Sequence, residues 1–329
     1  MNATFHRLTK IAAIVAFLVI VLGAWVRLSH AGLGCPDWPG CYGHLTWPDA
    51  AEIQAATEAF PERPVESAKA WKEMVHRYLA GALVLLVLAL NWIAWRRDNG
   101  APAFRGKSAF LLGLIVLQAL LGMWTVTLKL LPVIVMLHLL GGLATFSILL
   151  WLWHASRSAH SYSPGPQLRG MRRWVVLALS VLTVQIALGG WTSANYAALA
   201  CPDLPTCMNQ WWPDTNFREG FVLWREVGVD YEGGILDQPS RTAIHMAHRV
   251  GAVLTLFALL FVAFKLIRIA TFQRSGALLA ALVAAQFVLG LLNVALRLPL
   301  ANAVAHNGVA ALLLAVLVSL LYRTSPGKR

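Results

Sequence analysis

Four histidines lie at matched places inside long apolar stretches, and they are the residues best suited to bind a metal: His76, His138, His248 and His306. Ionisable groups inside apolar spans are uncommon and usually functional, although a single buried, hydrogen-bonded histidine would be the simpler interpretation. Two facing imidazoles are the axial ligands of a six-coordinate haem iron. We therefore predict two haem sites, each with a histidine pair. Zinc or copper is less favoured, because no further ligands stand at workable spacing.

Glu73 stands three residues before His76 and hence on nearly the same face of a helix, whereas His245 takes this place before His248. A carboxylate beside an iron can accept a proton, hold a reactive water or stabilise a cation at an oxidised carbon. We therefore assign chemistry to the first pair, and a permanent, electron-relaying haem b to the second. The alternative is that Glu73 only occupies a first helical turn, where the dipole favours an acid. His245 is a competing ligand, but alignment of the two halves favours His248.

All four cysteines belong to two copies of the motif Cys-Pro-Asp-x-Pro-x-Cys, at 35–41 and 201–207. The first interpretation is two disulfides within the loops, Cys35–Cys41 and Cys201–Cys207, in an oxidising compartment. Loops this small contribute about 2–3 kcal/mol each in the chain-entropy model. A redox role is the alternative, because exposed small-loop disulfides can exchange with outside thiols.

Four basic residues lie near the histidines. Arg77 and Arg249 each follow a ligand directly, and Lys129 and Arg297 stand where the fourth and eighth apolar stretches begin. Such side chains can pair with haem propionates. Snorkelling to lipid headgroups is the alternative.

The composition indicates which elements must position these residues. The 329 residues are 58% hydrophobic and only 13% charged, against roughly a quarter charged in soluble domains. Runs of about 20 apolar residues, enough to cross a bilayer, recur along the chain. We predict an all-α polytopic membrane protein with eight transmembrane helices, near 11–29, 73–95, 108–128, 132–154, 174–194, 242–265, 276–296 and 299–322.

Lys and Arg concentrate at both termini and in the even-numbered connections, where Asp98 is the one acid. The positive-inside rule then predicts cytoplasmic termini and places the long loops 30–71 and 195–241 outside. The net charge of +12 is thus a sign of topology, and no nucleic-acid partner is expected. The histidine pairs are expected near the outer face.

The two halves resemble each other at an offset of 166 to 172 residues. The matching segments include Leu-Gly-Ala-Trp at 22–25 with Leu-Gly-Gly-Trp at 188–191, the two cysteine motifs, and the segments 73–77 and 245–249. Four spans per half in one orientation predict two repeated four-helix bundles, related by an axis along the membrane normal. We expect residues 1–160 to hold a substrate haem and residues 161–329 to hold haem b.

These motifs, together with Gly-Ala-Trp-Val-Arg-Leu-Ser at 23–29, resemble the haem A synthase family over essentially the whole chain, in the bacterial type with both cysteine pairs. The resemblance implies an oxidoreductase that converts the C8 methyl group of haem O to a formyl group by successive hydroxylations. A gem-diol then loses water to give haem A, the cofactor of terminal oxidases.

The resemblance also implies residue roles. Substrate haem would lie between His76 and His138, with Glu73 as the functional carboxylate and the Cys35–Cys41 pair linked to activity. His248 and His306 would hold haem b. The implied location is the bacterial plasma (inner) membrane, with the active site near its outer face.

The partners implied by the resemblance are haem O, membrane lipid, the haem O synthase (a farnesyltransferase) and the assembly of terminal oxidases; a homo-oligomer is left open. Other functions compete with this one. A dihaem b-type electron carrier would usually place haems at both membrane faces, and a haem-delivery assembly protein would not need Glu73. A thiol oxidoreductase would require a Cys-x-x-Cys pair, which this sequence lacks.

Overall fold

A computed structural model describes residues 3–96, 101–157 and 166–325. Short 3-10 turns precede two of the ten α-helices in these residues. The helices are α1 (Ala3–Leu28), α2 (Ile53–Ala59), α3 (Ser67–Trp95), α4 (Arg105–Thr127), α5 (Pro132–Arg157), α6 (Pro166–Ala194), α7 (Phe217–Gly220), α8 (Gln238–Ile267), α9 (Gln273–Ala295) and α10 (Leu300–Thr324).

Within the described ranges, eight helices are long and apolar enough to cross a membrane; α2 and α7 are the short exceptions. Large side chains such as Trp92 and Phe257 are exposed along them, as expected for surfaces that face lipid. The predicted all-helical class and its eight spans are confirmed, and the chain is a multi-pass membrane protein. The predicted boundary between residues 160 and 161 lies outside the described residues.

Several helices begin earlier than their apolar runs predict. Helix α3 begins at Ser67 instead of residue 73, and α8 begins at Gln238, where the Asp237 side chain accepts a hydrogen bond from the Ser240 N–H at 3.0 Å. The added turns are polar but still satisfy their backbone groups. Glu73 consequently lies in the second turn of α3. The helix dipole does not explain an acid there, because its effect falls off within the first turn.

The helices pack as two closed rings. In one ring α1 and α4 each contact both α3 and α5, and in the other α6 and α9 each contact both α8 and α10. Contacts of α1 with α10, and of α5 with α6 and α10, join the rings. A core of buried Leu, Val, Ala and Phe side chains runs through both rings.

Polar contacts also join the two rings at one end. Arg27 at the end of α1 donates from Nη2 to the Ser193 carbonyl near the end of α6, at 2.7 Å. These residues are 166 positions apart, which is the offset between the two sequence halves. In the loops, Arg63 pairs with Asp230 at 2.7 Å and with Glu232 at 2.8 Å. The loops of one half are therefore fastened to those of the other.

Candidate haem sites

Each of the four predicted ligand histidines lies on a long helix, with its ring against a glycine of the neighbouring helix. A Cβ added at the glycine would lie 2.9 to 3.3 Å from the Cε1 of the ring. The pairs are Gly23 with His76, Gly122 with His138, Gly189 with His248, and Gly290 with His306. The glycines therefore provide the space that lets each imidazole lie close to a helix backbone.

The histidines are also grouped in the predicted pairs. His76 on α3 and His138 on α5 belong to one ring of helices, and His248 on α8 and His306 on α10 belong to the other. No cluster of three His, Cys, Asp or Glu suited to a metal ion occurs in the described part of the chain. Pairs without a third ligand fit a haem, whose porphyrin supplies the other four donors, better than tetrahedral zinc.

Buried ring nitrogens support this fit. The Nδ1 atoms of His76, His138 and His306 are buried and have no hydrogen-bond partner. Such orphaned nitrogens on histidines that face glycine-lined space are suited to a bound group. The residues present therefore fit a bis-histidine haem in each ring.

Glutamines accompany the histidines, and the sequence reasoning gave them no role. Gln185 of α6 places Nε2 3.0 Å from Nδ1 and 3.0 Å from the backbone oxygen of His248. Gln286 of α9 places Nε2 3.2 Å from Nε2 of His306. Gln118 of α4 packs against Gly141, and its Nε2 has no partner. A repeated Gln118–Gln286 pair was visible in the sequence, but Gln185 has no such signal.

Glu73 is buried, with 5% of its surface exposed, and both of its oxygens are engaged. Oε2 accepts a hydrogen bond from the backbone N–H of Cys35 at 3.0 Å. Oε1 accepts one from Arg77 Nη2 at 2.5 Å. The carboxylate is thus fixed between its own helix and the loop of residues 35–41, which we call the first cysteine loop.

His245 has the corresponding position in the other half. Its Nδ1 accepts a hydrogen bond from the backbone N–H of Cys201 at 3.1 Å, and Arg249 Nε lies 3.3 Å from its Nε2. His245 therefore contacts the loop of residues 201–207, the second cysteine loop. This leaves His248, which faces Gly189, as the better placed ligand.

Arg77 and Arg249 bind the cysteine loops. Arg77 Nη1 donates to the carbonyl oxygens of Asp37, Pro39 and Gly40 at 2.9, 3.2 and 2.5 Å. Arg249 donates to the carbonyls of Cys201, Asp203 and Thr206 at 2.8, 2.9 and 2.8 Å. This role could not be predicted from the sequence, because the partners are about 40 residues away along the chain. Propionate contacts by these arginines stay a prediction.

Lys129 and Arg297 lie in the turns that lead into α5 and α10. Both have a positive φ, of 47° and 56°. The Nζ atom of Lys129 is 3.9 Å from the Glu62 carboxylate. The backbone carbonyl of Lys129 accepts a hydrogen bond from the Tyr231 N–H at 3.0 Å. Their predicted contacts with propionates likewise stay untested.

Both predicted disulfides are present, with Cα–Cα distances of 4.8 Å for Cys35–Cys41 and 4.6 Å for Cys201–Cys207. All four cysteines are fully buried, so neither disulfide has the exposure on which the alternative redox role was based. The loops fold over their own cysteines, because an Asp in each motif holds the chain. A redox role stays a prediction, but it requires the loop to open or a thiol to reach a buried sulfur.

Asp37 and Asp203 organise the loops, a role that the motif contained but that sequence reasoning did not assign. Asp37 accepts from the N–H groups of Tyr42 and Gly43 at 2.6 and 2.8 Å. Asp203 accepts equivalent bonds, and the Thr206 hydroxyl, followed by backbone N–H groups, lowers its pKa below the usual aspartate range. Both carboxylates thus accept backbone hydrogen bonds that shape a tight turn.

The fold and sites define a multi-pass helical membrane protein with two histidine pairs, each near a disulfide-closed loop. Residues 6–318 match the family COX15-CtaA, described as cytochrome oxidase assembly proteins, and the chain belongs to this family.

Individual relatives agree with this family. The chain is 44% identical over 316 residues to a protein of Shewanella oneidensis named "Heme A synthase", covering 96% of this chain and 95% of that one. A "Heme A synthase" of Caulobacter vibrioides is 29% identical over 345 residues, covering 95% and 94%. One of Shouchella clausii is 27% identical over 219 residues, covering 65% and 67%.

Proposed function

We propose that this protein is a haem A synthase, a membrane oxidoreductase that converts the C8 methyl group of haem O into the formyl group of haem A. The observation that carries the proposal is the burial of the Glu73 carboxylate beside the first histidine pair. A buried carboxylate stands three residues before one histidine of the first pair, and an imidazole takes its place in the other half. The name of the Shewanella oneidensis relative, similar over nearly the whole chain, supports the same activity.

The substrate haem is assigned to the first ring, between His76 and His138. These histidines would hold the substrate iron and so keep the macrocycle beside Glu73. Cys35 and Arg77 orient the two carboxylate oxygens. The remaining lone pairs of Glu73 can then accept a proton from, or orient, a water beside the substrate methyl group.

The reaction is two successive hydroxylations of that methyl group, followed by loss of water from the gem-diol. Each hydroxylation is a two-electron oxidation of the carbon, and an oxidant from outside the chain accepts these electrons. General acid–base groups typically contribute about 10²–10⁴-fold to such steps. Glu73 is the buried carboxylate nearest to the first pair along its helix, so it is assigned this proton transfer. The Arg77 charge keeps the carboxylate paired while it is out of water.

The second ring is assigned to haem b, held by His248 and His306. When bound, this group supplies one-electron transfer and no bond chemistry. In this ring His245 occupies the position that Glu73 has in the first ring, so no carboxylate stands beside the iron ligands there. This is consistent with a haem that only relays electrons. The positive-inside pattern supports a location in the bacterial inner membrane with the sites near the outer face, and the family supports a role in oxidase assembly.

Paired variants test this division of labour. Cells that make haem O but have no other source of haem A would carry the wild type, H76A/H138A, or H248A/H306A. We expect haem A only with the wild type, and a retained haem b spectrum only in H76A/H138A among the variants. Haem A formation by H76A/H138A, or a full haem b spectrum in H248A/H306A, would overturn the assignment.

A further inference from the structure

Arg27 has no role in the sites described above, although it belongs to the Gly-Ala-Trp-Val-Arg-Leu-Ser segment at 23–29. It lies near the end of α1, one turn after the Gly23 that faces His76. From there the chain leads into the first cysteine loop. Arg27 is therefore a cation at the loop end of the first ring, about 6 Å along the helix axis from the glycine that accommodates a predicted iron ligand.

The side chain of Arg27 crosses to the other ring. Its Nη2 donates to the Ser193 carbonyl at 2.7 Å, and its Cζ lies 4.3 Å from the centre of the Tyr196 ring. Ser193 stands one turn after Gly189, the glycine that faces a histidine of the second pair. The guanidinium thus lies at the junction of the two rings, near the loop end of both.

Tyr196 is held in place at this junction. Its ring stacks on the His30 ring with centroids 5.8 Å apart, and a Cβ added at Gly234 would lie 3.1 Å from its Cβ. His30 and Tyr196 are equivalent at the offset of 166 residues, and their φ angles are 53° and 52°. A positive φ is uncommon for bulky residues and persists only where the surrounding structure enforces it. The position of the phenol ring is therefore built into the fold.

Two donors at this junction have no acceptor. Nε of Arg27 and the hydroxyl of Tyr196 are both buried without a hydrogen-bond partner. Among the residues that the structure describes, no acid forms an ion pair with Arg27. Buried donors without acceptors and charges without counterions both cost free energy. A charged group inside a membrane span usually serves a ligand or a pathway. A carboxylate has the charge and the oxygens to satisfy both donors.

We infer that Arg27 and Tyr196 form a carboxylate-binding site at the junction of the two rings, and that this site binds a propionate of a haem. The inference rests on the proposed function, which assigns a haem to each ring. Every haem carries propionate carboxylates at its edge. Arg77 and Arg249, which follow ligand histidines directly, already bind the cysteine loops. Both haems offer the same carboxylate chemistry, and the experiment separates them.

The test uses the full-length protein purified with haem b. R27Q removes the charge, whereas Y196F removes only the hydroxyl and keeps the stacked ring. R268Q and Y322F are the matched controls. Arg268 also lies over an aromatic ring, at 4.1 Å, and both control residues lie at the other ends of α8 and α10 from the ligand histidines.

Two measurements distinguish the haems. One arm follows the rate at which haem b passes to apomyoglobin, and the other follows the binding of added haem O by its Soret absorbance. The dimethyl esters of haem b and haem O, in which the carboxylates are blocked, are the control probes. A contact with a propionate is lost with the ester, whereas a general change in the fold is not.

We expect at least one of the two haems to bind about 10-fold more weakly to Y196F and about 10- to 100-fold more weakly to R27Q, because each variant loses a hydrogen bond to a charged group. Faster loss of haem b would assign the site to the second ring, and weaker binding of haem O would assign it to the first. The ester of the affected haem should bind the variants and the wild type equally, and R268Q and Y322F should match the wild type.

Y196F keeps the inference testable if R27Q fails to fold, because the Tyr196 hydroxyl has no partner within the described protein whose loss could disturb the fold. Unchanged affinity of Y196F for both haems would overturn this inference alone. An equal weakening of the dimethyl ester would also overturn it. A wild type that binds no haem b or no haem O would overturn the proposed function as well.

Discussion

Oε2 of Glu73 accepts a hydrogen bond from the backbone N–H of Cys35 at 3.0 Å, so the carboxylate assigned to chemistry and the first disulfide form one structural unit. In the other half, Nδ1 of His245 accepts the equivalent bond from Cys201 at 3.1 Å. An equivalent hydrogen bond therefore holds each cysteine loop, but the acceptor is a carboxylate only in the first half. A change in the first loop is expected to reach the reaction, and a change in the second is not.

Replacing Glu73 by Gln tests the carboxylate directly. The amide keeps the shape of the side chain and one acceptor oxygen, so the loop should stay in place. Haem A formation should fall by about 10²–10⁴-fold, because proton transfer is lost, while the haem b spectrum persists. The measurement is haem A produced per haem b. Glu66→Gln, at an exposed position just before α3, is the control, and an unimpaired Glu73→Gln enzyme would contradict the assigned role.

The two disulfides should differ in their effect on activity. Cys35→Ser and Cys201→Ser should each cost about 2–3 kcal/mol in the chain-entropy model. Because the Cys35 N–H holds Glu73, opening the first loop should also reduce haem A formation well beyond the effect of opening the second. Activity measured at a temperature where both variants are folded separates the two effects. Equal activities would reduce both loops to structural roles.

The roles of His245 and His248 can be separated by glutamine substitutions. His245→Gln keeps an acceptor for the Cys201 N–H and should retain the haem b spectrum. His248→Gln removes an iron ligand and should abolish the bis-histidine spectrum. Optical and paramagnetic resonance spectra of the purified proteins give the result. Loss of haem b from the first variant, with its retention in the second, would mean that the ligands have been assigned in the wrong order.

The glycines opposite the histidines predict a packing effect. A Cβ at Gly189 would lie 3.1 Å from Cε1 of His248, so Gly189→Val must displace the ring. We expect this overpacking to lower the free energy of unfolding by about 1–3 kcal/mol and to reduce the haem b content. Gly113→Val is the matched control, because nothing lies within 4 Å of a Cβ added there. Equal haem b contents in both variants would show that the ring does not need the glycine.

Sequence patterns predicted the spans correctly and also suggested the histidine pairs, whose role as haem ligands stays a prediction. Apolar runs must match the bilayer thickness, and His76 recurs as His248 at a fixed offset. The helix starts were not predictable in the same way, because the polar turn at Ser67 lies outside the apolar run. Glu73 consequently lies in the second turn of α3, whereas the sequence placed it in the first.

Side-chain partners were the part that sequence could not supply. Arg77 follows a ligand histidine, which suggested a propionate contact, but its donors meet carbonyls of the first cysteine loop. Burial of the disulfides depends on how Asp37 turns that loop back over its own cysteines. Gln185 lies 63 residues from His248, and only the packing of α6 on α8 brings them together. Each of these contacts depends on tertiary structure.

The most direct test of the central claim is mass analysis of haems extracted from the purified protein, expressed with and without a supply of haem O. We predict haem b under both conditions, and haem A or a hydroxylated intermediate only when haem O is supplied. Haem b alone under both conditions would contradict the synthase activity and would favour a dihaem electron carrier.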